Sequence, residues 1–157
     1  MHRSKLLLSL LALTLFLLGC QLFVPATPPP PLTASMGTEF TLAPGQSALI
    51  EEAGLTLKLI AVSSDERCPS EIECFASGPV TLSISAQKDS GEATDLVLQT
   101  FTSNDGLAPT MEFEGIRSQT LFEGYQVKVT SVLPYPARSK SEIRDSDYRV
   151  SFMVTLE

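Results

Sequence analysis

A chain of 157 residues, 43% hydrophobic and 18% charged, is long enough for one ordinary core and hardly for two. Its 18 acidic against 11 basic residues give a net charge of -7, so the basic footprint that nucleic acid requires is missing. The single histidine is His2, and any chemistry that needs an imidazole has only that N-terminal position to draw on.

The chain opens with His2, Arg3 and Lys5, then runs from Leu6 to Leu18 with Ser9 and Thr14 as its only polar side chains. This is the pattern of a secretory signal. As a helix at about 1.5 Å per residue the run spans roughly 20 Å, short of the roughly 30 Å hydrocarbon core that a permanent span must cross. It ends in Leu17-Leu18-Gly19-Cys20, which resembles the lipobox of bacterial lipoproteins. The resemblance implies a signal peptide over residues 1–19, cleavage before Cys20, and acylation of the Cys20 thiol and of the new amino group, which makes a stable membrane anchor. Gln21 stands where an aspartate would imply retention at the inner membrane. The resemblance therefore implies an outer-membrane place in a diderm cell, a cell-membrane place in a monoderm one, and an extracytoplasmic domain. Processing would also remove His2 and leave a chain without histidine.

Residues 20–36 carry the lipidated cysteine, Pro25 and the run Pro28 to Pro31 among Ala, Thr and Ser, a composition that buries no core and favours polyproline II. The segment reads as a tether, extending roughly 50 Å at about 3.1 Å per residue.

From Gly37 to the C-terminus, residues 37–157, apolar and polar residues alternate with period two, and a single all-β domain follows. The strongest strands are Leu55 to Leu59, Val80 to Gln87, Tyr125 to Thr130 and Arg149 to Leu156, each with one apolar face. Shorter ones are expected at Glu39–Leu42, Ser47–Glu51, Asp95–Phe101, Met111–Ile116 and Gln119–Phe122, parted by turn signals such as Pro44-Gly45, Asn104-Asp105-Gly106 and Glu123-Gly124. Eight or nine short one-sided strands fold most economically as an antiparallel β-sandwich, with a small β-barrel as the alternative.

With Cys20 lipidated, Cys68 and Cys74 remain as an even pair in an exported chain, and a disulfide between them is expected. The spacing is not Cys-x-x-Cys and no helix start follows, so a redox pair is disfavoured. Asp65-Glu66-Arg67-Cys68-Pro69, then Cys74 and Gly78 leading into a strand, resembles the Asp-x-Arg-Cys-Pro, Cys, Ala-Gly signature of a family of small exported bacterial β-proteins. Leu133-Pro134-Tyr135-Pro136 and Asp147-Tyr148-Arg149 are similar to that family too. Where the family often carries tryptophan after the second cysteine, this chain has Phe75. The resemblance implies an exported β-domain with a stapled loop and brings no activity with it.

Triads, Cys-His pairs and His-ligated metals need an imidazole that the processed chain would lack. Carboxylates remain: Asp65, Glu66, Glu71 and Glu73 around the cysteines, Glu112 with Glu114, and Asp145 with Asp147. They make a small-ligand or Ca2+-binding protein the alternative reading and a carboxylate hydrolase a remote one. The expected function is a non-catalytic, membrane-anchored interaction or accessory module for an envelope protein, without cofactor or metal. Its candidate contact residues are Arg67, Pro69, Phe75 and Tyr135. Tyr135 has a blander use, packing over the sandwich end to fix a turn.

Overall fold

A computed structural model describes residues 30–157. The expected signal peptide, Cys20 and the expected tether up to residue 29 lie outside the described residues. Period-two alternation resolves into nine strands in two sheets, a β-sandwich and not a barrel. The strands are β1 (Leu32–Ala34), β2 (Phe40–Leu42), β3 (Ser47–Ile50), β4 (Leu55–Asp65), β5 (Val80–Lys88), β6 (Thr94–Thr100), β7 (Gln119–Phe122), β8 (Tyr125–Leu133) and β9 (Arg149–Leu156). One sheet has the order β1-β3-β4-β5-β6 and the other β2-β9-β8-β7.

The inward positions are those the alternation marks: Leu55, Leu57 and Leu59 on β4, Val80, Leu82 and Ile84 on β5, Val127 and Val129 on β8, Val150, Phe152 and Val154 on β9, all at 0% exposure. Bulges interrupt β4 after Leu59 and after Val62, and β8 after Val129. Each bulge shifts the alternation by one residue, which is how Val132 also turns inward.

Two expectations need correction. Leu32–Ala34, assigned to the tether, is a strand that pairs parallel with β3, Leu32 opposite Ala48, so the sheet starts before Gly37 and one pair is not antiparallel. The leading prolines end at Pro31, which frees the next three residues to donate to a ladder. Met111–Ile116 is not a strand. Gly115 takes a positive φ of 80° and Ile116 donates to the Phe113 carbonyl at 3.0 Å, closing a turn where an extended chain was expected.

Strand directions give the sandwich two unlike ends. β4, β6 and β8 run toward one end, where residues 66–79, 101–118 and 134–148 connect the strands. The opposite end holds the short turns at 51–54, 89–93 and 123–124.

Candidate functional site

The long-loop end is organised around Arg67. β4 stops at Asp65, and two residues later the Arg67 side chain folds back beneath the loops with 0% exposure. Its Nε donates to Asp65 Oδ1 at 2.9 Å and one Nη to Asp65 Oδ2 at 2.6 Å, the fork-on-fork geometry that only a guanidinium offers a carboxylate. The same Nη also donates to the Pro134 carbonyl at 2.8 Å, and the other to the Val132 carbonyl at 2.9 Å and Thr102 Oγ1 at 3.4 Å. Every N–H of the guanidinium thus has an acceptor, as burial of such a group demands. The Tyr135 ring lies 4.9 Å from the guanidinium carbon, and its hydroxyl donates to the Cys68 carbonyl at 2.8 Å.

Arg67 was expected at a contact surface, and the structure places it inside. The carbonyls of Val132 and Pro134 and the Asp65 carboxylate converge from two sheets, and Arg67 is the donor that satisfies them together. Tyr135 is half-buried and takes the turn-fixing role. Tyr148, not foreseen as part of the cluster, donates its hydroxyl to Asp65 Oδ2 at 3.0 Å. Its signal was the Asp147-Tyr148-Arg149 opening of the last strand, though nothing local pairs it with Asp65 across the fold.

Burial pushes the Asp65 carboxyl up, but the Arg67 hydrogen bonds and charge outweigh it and hold its pKa below the ordinary carboxylate value. Burial, then the Asp65 charge, pushes the Tyr148 hydroxyl up to about 12. The two shifts act on opposite limbs. A depressed Asp65 contributes stability that is present above its unfolded value of about 3.9 and is lost as pH falls through the folded one; a raised Tyr148 contributes stability present below about 10 and lost as pH rises toward its folded value. Melting temperature against pH is therefore expected to fall below about pH 4 and again above about pH 10, and Tyr148→Phe to remove the tyrosine part of the alkaline fall. An alkaline limb identical in the variant would remove Tyr148 from the clamp.

The Cys68–Cys74 disulfide forms as expected, with Cα atoms 5.9 Å apart. In the chain-entropy account so short a closure is worth roughly 2.4 kcal/mol, enough to pin the loop but not to create the fold. The loop is also docked from outside: Ser70 N donates to the Pro136 carbonyl at 3.0 Å and Glu71 N to the Ala137 carbonyl at 2.9 Å. At its neck Gly78 N donates to the Glu66 carbonyl at 2.8 Å, and a Cβ at Gly78 would fall 2.6 Å from the Glu66 Cβ, so this crossing needs glycine. Pro69 is half-buried in the loop base, whereas Phe75 stands fully exposed at 108%.

Beside the clamp, Phe101 and Phe113 meet edge to face at 5.1 Å and wall an open apolar cleft of about 280 Å³ with Leu107, Ala108 and Pro109. Thr102, which lines the same cleft, accepts from Arg67. The two surfaces therefore share one support.

The candidate carboxylates are either held by a cation or open to solvent. Both Asp65 oxygens are engaged by Arg67, and Asp147 is held by Arg144 at 2.9 Å. Glu66, Glu71, Glu73, Glu112, Glu114 and Asp145 are exposed. Glu112 accepts from Gln119, and Glu71 from Arg138 at 2.7 Å. Among the described residues no three His, Cys, Asp or Glu side chains gather closely enough to hold a metal ion. Nor, among them, is any helix long and apolar enough to cross a membrane.

Compared with protein-family models, curated proteins and solved structures, the chain matched none.

Proposed function

We propose that this protein is a lipid-anchored, extracytoplasmic interaction module that binds an envelope partner through the long-loop end of its sandwich and catalyses no reaction. The observation that carries the reading is the stapled loop: a disulfide, a neck glycine and docking hydrogen bonds hold its backbone, and on that rigid mount Phe75 is presented fully to solvent. A large aromatic kept out of the core on a preorganised loop costs little entropy to bury against a partner, which is the character of an interface anchor. Phe75 and Pro69 stay in the proposed contact surface, Arg67 and Tyr135 support it from beneath. The open apolar cleft favours a second reading, binding of a small apolar ligand.

Anchoring rests on the resemblance of Leu17-Leu18-Gly19-Cys20 to a lipobox. Cys20→Ser is expected to shift the protein from the membrane pellet to the soluble fraction with its melting temperature unchanged. Retention of the variant in the pellet would overturn the anchor.

A further inference from the structure

The direction of the chain at its first strand orients the domain on its membrane. β3 is antiparallel to β4, β4 runs toward the long loops, and β1 is parallel to β3. β1 therefore runs away from the loops, and the residues before Leu32 enter from the loop side. Leu32 stands level with Ala48 and hence with Leu57; two bulges between Leu57 and Asp65 leave six ladder positions, Ala86 to Val80 on β5, so Leu32 lies about 20 Å below the end of β4 at the rise of a strand. From Cys20 to Leu32 the chain would reach about 37 Å as polyproline II. Passing the sheet takes about half of that reach, so an anchor at Cys20 would keep the end of β4 within about 17 Å of the lipid.

The face so presented is apolar at its tips and acidic between them. Ile72 and Phe75 on one loop and Leu107, Met111 and Phe113 on the next are 50%, 108%, 54%, 70% and 44% exposed. The same two loops expose Glu66, Glu71, Glu73, Asp105, Glu112 and Glu114 against Arg117, and the third loop adds Arg138, paired with Glu71, and Arg144, paired with Asp147, so the balance stays acidic. Peripheral docking on lipid pairs apolar side chains with Lys and Arg, because headgroup surfaces are neutral or anionic. An acidic rim is the wrong sign for that surface, and for a second copy of itself. It suits a protein with an apolar patch ringed by cations.

We infer that the loop end faces the membrane and docks, through Phe75 and the neighbouring apolar tips, on the exposed part of a membrane-embedded protein whose contact surface is apolar and rimmed by Lys and Arg. This rests on the lipid-anchored interaction reading above.

The test uses the full, lipidated chain in its native membrane with a benzoylphenylalanine photocrosslinker at position 75 or 113, and at Val97 on the outer face of β6 as control. Fractionation of the same sample is read first. The expected result is membrane-bound protein, a discrete adduct from 75 and 113 about tenfold above that from 97, a membrane-protein contact peptide carrying Lys or Arg, and loss of the adduct when Glu73→Lys and Glu112→Lys are combined. Protein found in the soluble fraction overturns the anchor, and the orientation with it. Membrane-bound protein overturns the orientation alone if its adducts are lipid only, equal at all three positions, mapped to a surface without cations, or indifferent to the charge reversals. A melting curve of the reversed variant separates lost docking from lost folding.

Discussion

Arg67→Met is expected to destabilise the domain by about 3–5 kcal/mol, a large part of the total stability of a small domain, which is typically about 5–15 kcal/mol. The substituted side chain fills similar space, so the loss comes from what is left behind. Asp65, with 5% of its side chain exposed, keeps a charge whose paired cation is gone, and the Val132 and Pro134 carbonyls lose this donor. Arg67→Lys is expected to fall between, because an ammonium restores the charge but cannot reach a carboxylate fork and two carbonyls in one plane. Asp65→Asn combined with Arg67→Met is expected to cost less than the sum of the single changes, since the double variant buries no lone charge. Urea unfolding of the wild type, the three single variants and the double variant gives the comparison. A loss below about 1 kcal/mol for Arg67→Met would show that the loops hold without the clamp, and would take with it the argument that Phe75 is rigidly mounted.

What could be read from the sequence follows the range of the interactions. Alternation is a property of neighbours, and Leu55 to Leu59, Val80 to Gln87 and Gln119–Phe122 were legible from it as strands. The disulfide was legible because two cysteines six apart, in a chain whose start reads as a secretory signal, leave few alternatives. Met111–Ile116 misled because its apolar residues alternate for a different purpose: Phe113 packs on Phe101 across a turn, while Met111 remains in solvent. β1 was hidden because a three-residue strand beside a proline run has no period to display. Arg67 was the instructive failure. Near a proline, a cysteine and several carboxylates it looks like a surface cation, and its partners at Val132 and Pro134 lie 65 and 67 residues away. Only the fold brings them together.

Deleting residues 153–157 is expected to unfold the domain outright rather than shorten it. β9 is an inner strand, paired to β8 along its length and to β2 on its other side. The deletion removes the pairing of Met153, Val154, Thr155 and Leu156 with Lys128, Val127, Gln126 and Tyr125, and also the Val154 carbonyl that accepts from Gly37 at 2.8 Å. Val154 is fully buried. Losing it forfeits about 1.5–3 kcal/mol of burial, and four or five ladder hydrogen bonds at about 1 kcal/mol each bring the loss to about 6–8 kcal/mol. That equals or exceeds the stability of many domains of this size. The inner face of β8 would then expose Val127 beside an unpaired edge, so the truncated chain is expected to aggregate as well as to lose its β-sheet circular dichroism. Removing Glu157 alone, whose N–H donates to the Gly124 carbonyl at 3.1 Å, is the control and is expected to cost about 1 kcal/mol or less. A cooperative melt for the 153–157 deletion within a few degrees of the full chain would mean that β2 and β8 are held by something other than β9, and the division of the core between two sheets would have to be redrawn.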